Sequence, residues 1–201
     1  RLFIRHYVIN CLRKAAFILP RNAQNARTER DIQNAFITLV NQKGFRNVTI
    51  NDIAQAAMIN RQTFYYHYQD KYQLTETMIG DLVEAYDELY QKYVAAALKQ
   101  VDLTNRIPML FPETISFWAA NREKVAALFS IEYNNYTLEG ELKKRFRSYL
   151  PTLLGRKPLP LENNVYPSII LSVIETVVET EQVPTQEEII KTFSSISDVF
   201  K

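Results

Sequence analysis

Apolar residues recur along this chain at the three- and four-residue spacing of a buried helix face. Ile32, Phe36 and Val40 belong to the first such stripe. The stripe predicts a first helix over Thr28–Gln42, with the threonine as its N-cap. Gly44 follows, at the position where a helix commonly ends in a residue with positive φ.

Capping residues mark the starts of three further helices. Thr49-Ile50-Asn51-Asp52 is an S/T-x-x-D pattern and predicts a second helix that begins after Thr49. Asn60 is placed to cap a short third helix, Arg61 to Tyr68. Asp70 is placed to cap a long fourth helix that reaches about Lys99.

The second half of the chain has the pattern of shorter helices separated by proline and asparagine. One apolar stripe spans Val165–Val177, and Pro184-Thr185 opens a last helix with apolar residues up to Phe200. No strand-period alternation stands out, so the expected fold class is all-α. Residues 1–26 are interpreted as an extra N-terminal helix or extension.

Charge is distributed unevenly along the chain. Residues 1–72 carry 11 Lys and Arg against 4 Asp and Glu, whereas the remainder is net acidic. A basic N-terminal part is typical of a region that meets an anion. Cys11 is the only cysteine, which fits a reducing cytoplasm, and charged residues interrupt every apolar run near the N-terminus, so no membrane segment is expected.

The second and third predicted helices are joined by the short connection Ala57-Met58-Ile59, which is typical of a helix-turn-helix. In such a pair the second helix enters the DNA major groove. Arg61 and Gln62 suit contacts to guanine and adenine edges. Thr63 and Tyr65 can donate hydroxyl hydrogens to phosphates, Lys71 can neutralise one, and Phe64 and Tyr68 are expected to turn inward.

These residues resemble the N-terminal domain of the TetR family of bacterial regulators. The resemblance covers residues 28–78 and rests on Thr49 to Ala57, Asn60 to Tyr68, Asp70-Lys71 and Leu74. It implies a three-helix DNA-binding head over residues 27–75 and a larger helical domain over residues 76–201. That domain would bind a small effector and form a homodimer, which occupies a palindromic DNA operator. The DNA contacts carried over are Thr49, Asn60, Arg61, Gln62, Thr63, Tyr65, Tyr66, His67 and Lys71.

Met58 departs from the family pattern, which often has glycine in this turn. If Met58 adopts a left-handed conformation, the cost is about 1–2 kcal/mol. Either the turn differs slightly or packing of the methionine offsets the strain. For His67, packing beside Phe36 is the alternative to a phosphate contact.

The larger domain offers two further sets of candidates. An apolar or aromatic effector is expected to lie among aromatic side chains, with Trp118 and Tyr133 first. The last two helices are expected to form the dimer interface. The pocket candidates are Tyr86, Tyr90, Phe111, Phe117, Trp118, Phe129 and Tyr133. The interface candidates are Ile169, Val173, Ile174, Val177, Ile189, Phe193 and Ile196.

Other classes of function are less well supported by the sequence. The chain has no glycine-rich phosphate loop, no G-x-S-x-G and no H-E-x-x-H, so an enzyme is not expected. No cofactor or metal is predicted. Repression with release by an effector is the family's usual mode. A regulator or coactivator that responds to a protein partner is the alternative.

Overall fold

The computed structural model describes residues 23–97, 113–133, 136–180, 182–185, 187–188, 191–192 and 194–195. Every regular element in these ranges is helical, which confirms the all-α class. Residues 1–22 of the predicted N-terminal segment and the candidates Phe111, Ile189, Phe193 and Ile196 lie outside these ranges. The elements are α1 (Ala23–Lys43), a 3-10 turn (Phe45–Asn47), α2 (Ile50–Ala56), α3 (Arg61–His67), α4 (Lys71–Ala97), the helical segment 113–120, α5 (Arg122–Phe129), α6 (Leu138–Leu154) and α7 (Glu162–Thr180).

Helix α1 is longer than its apolar stripe predicts. It begins at Ala23, so Thr28 is not an N-cap, and the Thr28 hydroxyl donates to the carbonyl of Gln24 one turn earlier at 3.0 Å. The stripe alone missed the first turn because that turn is polar. At the other end Gly44 has the expected positive φ of 75°, but its ψ of 149° is extended, not left-handed helical.

Helices α1, α2 and α3 and the first turns of α4 form a small head around an apolar core. Ile32 and Phe36 of α1, Ile53 of α2, Phe64 of α3 and Leu74 of α4 are all fully buried. Helix α4 starts where predicted, because Asp70 Oδ1 accepts hydrogen bonds from the backbone N–H groups of residues 72 and 73. It then continues without a break to residue 97, so the head and the larger domain share one helix.

The second half of α4 packs into the larger domain, which we call the body (residues 76–97 and 113–180). Helix α6 lies along α7 and against α4, and α5 packs on α1, which ties the body to the head. The Asn41 side chain of α1 donates to the carbonyl of Glu123 at 3.0 Å across this joint. No helix among the described residues is long and apolar enough to span a membrane.

The apolar stripe of α7 contributes both to the core of the body and to an open groove. Ile174 and Val177 are 1% exposed and pack inside their own chain, so their assignment to the dimer interface is wrong. Helices α5 and α6 pack against α7. The side of α7 that carries Ile174 and Val177 is therefore buried within the chain. Ile169 and Val173 lie on the other side, half-buried in an open groove.

The groove that Ile169 and Val173 line is closed on its far side by the start of the last helix. Pro184, Glu188 and Thr192 form that side. Thr185 and Glu188 form a reciprocal cap, in which the Thr185 N–H donates to the Glu188 carboxylate at 2.7 Å. The prediction that a helix opens at Pro184-Thr185 is therefore confirmed for the described residues.

Candidate nucleic-acid interface

Helix α2 begins with the capping box that its sequence predicts. The Thr49 hydroxyl accepts from the N–H of Asp52 at 3.2 Å, and the Asp52 carboxylate accepts from the N–H of Thr49 at 2.8 Å. Lys43, at the end of α1, approaches the same carboxylate to 2.8 Å. The hydrogen bonds from Lys43 and Thr49 hold the pKa of Asp52 well below its usual value. The cap therefore fixes where α2 starts relative to α1.

The turn between α2 and α3 has the geometry of a Schellman motif. Met58 has a φ of 54°, its N–H donates to the carbonyl of Gln55, and the N–H of Ile59 donates back to Ala54 at 2.9 Å. The left-handed conformation considered from the sequence is therefore present. Met58 is 94% exposed, so packing does not offset its backbone strain.

Helix α3 is short and is defined by its cap and its buried side. Asn60 Oδ1 accepts from the N–H of Thr63 at 2.7 Å and from its hydroxyl at 3.0 Å, which confirms the predicted N-cap. Phe64 is fully buried and Tyr68 is 5% exposed, so both turn inward as expected. The opposite side of α3 is left facing solvent.

That outward side carries most of the predicted DNA contacts. Arg61 and Gln62 are exposed in the first turn, and Tyr65 and Tyr66 are 47% and 74% exposed. The Arg61 guanidinium donates to the Tyr65 hydroxyl at 3.2 Å, so the two side chains lie side by side. Hydrogen-bonding groups of several types are thus gathered on one convex surface.

His67 has a partner within the head. Its Nδ1 lies 3.2 Å from Oε1 of Glu29 on α1, and the two side chains are 5% and 18% exposed. This polar contact with α1 was not foreseen from the sequence, and packing of His67 beside Phe36 stays a prediction. A phosphate contact by His67 stays a prediction, and its side chain has little exposed surface with which to make one.

Lys71 also has its hydrogen bonds inside the head. Its ammonium donates to the carbonyls of Phe45 and Val48 at 2.8 Å each and approaches that of Arg46 at 3.4 Å. It also lies 4.4 Å from the ring centroid of Phe45. Burial lowers its pKa. Lys71 thus stabilises the 3-10 turn, and its predicted phosphate contact would act through its charge.

The polar surface of α3 continues onto α1, which the sequence analysis missed. Gln24, Asn25 and Thr28 line one side of a shallow groove. Residues at the start of α3, together with Tyr66 and His67, line the other side. The only sequence signal was the polar character of residues 23–28, because the pairing of two helices far apart in sequence has no local pattern. This groove widens the candidate interface beyond the recognition helix.

The predicted effector residues fall into two separate places. Tyr86 and Phe117 pack against Trp118, with ring centroids 4.8 Å and 4.9 Å from its ring, in the centre of the body. Tyr133 instead stacks on Phe45 of the head at 5.6 Å, so grouping it with Trp118 is wrong. An aromatic spacing along the sequence cannot show which helix covers which ring.

Among the residues that the structure describes, two polar atoms of the body core have no hydrogen-bond partner. They are the hydroxyl of Tyr90 and Nε1 of Trp118, both fully buried. Tyr90 stacks on Tyr149 at 3.5 Å, and burial raises the pKa of both phenols. Phe129 is partly buried at the edge of the same core. Among the described residues, no group of three or more metal-ligating side chains is present.

Comparison with known proteins finds a family match within the head. Residues 34–78 match the family model of bacterial regulatory proteins of the tetR family. A 54-residue stretch, 26% of this chain, is 41% identical to the HTH-type transcriptional regulator YxbF of Bacillus subtilis. That stretch spans only 14% of the length of that regulator.

Solved structures resemble the whole chain in fold. One, described as a TetR-family transcriptional regulator from Syntrophomonas wolfei, has a TM-score of 0.61 at 18% identity, covering 88% of this chain and 95% of its own. A TetR family transcription regulator from Marinobacter aquaeolei has a TM-score of 0.56 at 17% identity, covering 85% and 94%. The helix-turn-helix of the head is therefore similar to that of the tetR family over residues 34–78, and the described helices share the fold of the solved TetR-family regulators.

Proposed function

We propose that this chain is a dimeric repressor that binds a palindromic operator and releases it when a small effector binds. The observation that carries the proposal is the two-sided character of α3. Its aromatic residues Phe64 and Tyr68 are buried, while Arg61, Gln62 and Tyr66 are presented to solvent at the surface of the head.

In the proposed complex α3 lies in the major groove. Arg61 and Gln62 in its first turn reach base edges, guanine for the arginine and adenine for the glutamine. Thr63, Tyr65 and Tyr66 donate to phosphates and so set the register. Thr49 and Asn60 use their side chains as caps, and their contribution to DNA is to present the N-terminal N–H groups of α2 and α3 towards the backbone.

A second copy of the chain supplies the other recognition helix. We place the dimer contact on the outward side of α7, where Ile169 and Val173 line the groove next to the last helix. Val165, one turn earlier, is 44% exposed on the same side. A two-fold axis through such helices repeats α3 about one DNA turn away, roughly 34–36 Å, which is the reason to expect a palindromic site.

The effector is placed in the body core, next to the unpaired hydroxyl of Tyr90 and the unpaired indole N–H of Trp118. Buried donors without acceptors are unfavourable by about 1–3 kcal/mol each, so a ligand that offers an acceptor among apolar walls would be stabilised there. Binding would then favour one geometry of the dimer over another. A thermal-shift screen of small molecules tests this, because a ligand of the folded state raises Tm.

The proposal is tested by selection of duplex DNA from a random-sequence library with the purified chain. The expected product is a two-fold symmetric sequence whose affinity falls steeply with salt. Gln62→Ala should change the preference at one base position in each half-site and leave the others alone. A monomeric chain, or one that selects no sequence and shows no salt-dependent affinity for duplexes, would contradict the proposal.

A further inference from the structure

Two polar residues of α1 face the end of α3 and bond to it. Glu29 and Gln33 lie one helical turn apart on α1. Glu29 Oε1 lies 3.2 Å from Nδ1 of His67, and Gln33 Nε2 donates to the hydroxyl of Tyr68 at 3.3 Å. His67, the last residue of α3, and Tyr68, its C-cap, are therefore held by hydrogen bonds in addition to the apolar core.

The chemistry of the first pair determines its direction. A carboxylate only accepts hydrogen bonds, so Nδ1 of His67 donates to Glu29. With 5% and 18% of their side chains exposed, both groups are largely shielded from competing water. A hydrogen bond to a charged group in such a setting is stronger than one at the surface.

The other side of the imidazole meets an exposed residue of the interface. The rings of His67 and Tyr66 are 5.1 Å apart at an angle of 89°, an edge-to-face contact. Tyr66 is 74% exposed and is one of the predicted DNA contacts. His67 thus contacts both a carboxylate on α1 and the exposed ring of Tyr66, at the edge of the groove between α1 and α3.

We infer that Glu29 and His67 are positioning residues, which set the direction of α3 and the ring orientation of Tyr66, and that His67 does not itself bind phosphate. This inference rests on the proposed function. Helix α3 has seven residues, too few to be stable alone, so its direction depends on tertiary contacts. Its first turn is fixed by the Asn60 cap, and the Glu29–His67 bond fixes its last turn.

A positioning role for the Glu29–His67 pair and a phosphate contact by His67 predict opposite changes in DNA affinity when Glu29 is removed. Loss of a negative charge from a DNA-binding surface favours binding by electrostatics alone. If Glu29 positions α3, its loss weakens binding instead. The weakening would concern the selected sequence and not duplexes in general, because base contacts depend on the helix direction more than phosphate attraction does.

The first test compares Glu29→Ala with Asp31→Ala at one fixed salt concentration. Asp31 is an exposed acid two residues away, and its ion-pair partner is Arg27 on the same helix. The probes are the duplex selected by the wild-type chain and a scrambled duplex of equal length. We expect Glu29→Ala to lose about tenfold in affinity for the selected duplex only, since a bond to a charged group is lost. Asp31→Ala should bind both duplexes at least as tightly as the wild type. Equal behaviour of the two variants would overturn the inference.

The second test replaces His67 by the two amides that mimic its nitrogens. The amide nitrogen of asparagine lies near the position of Nδ1, and that of glutamine near Nε2. His67→Asn should keep affinity within about threefold of the wild type. His67→Gln should lose about as much affinity as Glu29→Ala. The double variant Glu29→Ala with His67→Gln should bind no worse than either single variant, because both remove the same bond. The reverse order, with glutamine active and asparagine inactive, would assign a contact to Nε2 and overturn the inference.

Melting temperatures separate a misplaced helix from an unfolded head. If Glu29→Ala melts below the assay temperature, the comparison of His67→Asn with His67→Gln decides the matter. Failure of the wild-type chain to select any duplex would remove the proposed function and this inference with it. Selection by the wild type combined with insensitivity to Glu29 and to Nδ1 would remove the inference alone.

Discussion

The head and the body of this chain are held together by contacts that differ in their separation along the sequence. In the head the caps of α2 and α3 join residues three positions apart, Thr49 to Asp52 and Asn60 to Thr63. In the body the Tyr149 hydroxyl donates at 2.6 Å to Asp87, 62 residues earlier. Arg145 pairs with the same carboxylate at 3.2 Å. Local rules therefore describe the head well and the body poorly.

The aromatic residues of the two regions also have different environments. On α3 an aromatic side chain is exposed where it is expected to meet DNA, as for Tyr66 at 74%. In the body Trp118 is fully buried and packs against the rings of Tyr86 and Phe117. The same residue class thus stabilises the fold in one region and is free for a ligand in the other. Substitutions to alanine in each region distinguish these roles.

The largest effect is expected from Trp118→Ala. Removing a fully buried indole leaves a cavity and should lower the free energy of unfolding by about 3–5 kcal/mol. Tyr66→Ala is the matched control, and its unfolding free energy should stay within about 0.5 kcal/mol of wild type while DNA affinity falls. Urea unfolding and duplex binding measure both. Similar stability losses for the two variants would contradict the distinction.

The N-caps of the two regions give the next largest effect. Asn60→Ala and Thr137→Ala remove the caps of α3 and α6, in which Thr137 Oγ1 accepts from Gly140 N at 3.1 Å. Each should cost about 1 kcal/mol of stability. Only Asn60→Ala should weaken DNA binding beyond what its stability loss explains. An equal loss of DNA affinity in Thr137→Ala would show that the cap of α3 has no special part in recognition.

A smaller change, this time a gain in stability, is expected from a substitution in the turn before α3. Met58→Gly relieves the strain of a left-handed residue and should stabilise the head by about 0.5–1 kcal/mol, after the greater flexibility of glycine when unfolded is included. Gly44→Ala imposes strain at a φ of 75° and should destabilise by about 1 kcal/mol. Thermal unfolding of the two variants should shift Tm in opposite directions, and shifts of the same sign would refute the strain argument.

The smallest effect is a dependence of stability on acid. The native pKa of Asp52 is lowered, so its cap contributes fully above the pKa of the unfolded state, near 4, and is lost as pH falls through the native value. Asp52→Asn should reduce stability at pH 7 and reduce the decline between pH 5 and pH 2. Denaturant unfolding at several pH values measures this, and an unchanged pH profile in Asp52→Asn would exclude Asp52 as a source of the acid dependence.

The outcome for individual residues shows which features local sequence patterns can predict. The caps at Thr49, Asn60 and Asp70 were predictable, because each depends on residues within one helical turn. The partners of His67 and Lys71 were not, since Glu29 and the carbonyl of Phe45 lie 38 and 26 residues away in the sequence. A similar reason applies to Ile174, which was predicted on a dimer surface but is buried within its own chain, because the helices that cover it are distant in sequence.

By itself the sequence determined the helical class, the starts of α2, α3 and α4, and the identity of the helix-turn-helix, because helix periodicity and capping act over three or four residues. Tertiary structure alone decided which side chains of that motif remain free for a ligand and which are bound to α1 or the 3-10 turn. It also decided which aromatic rings of the body meet. Those outcomes depend on how helices distant in sequence pack together, and packing has no signature within any single helix.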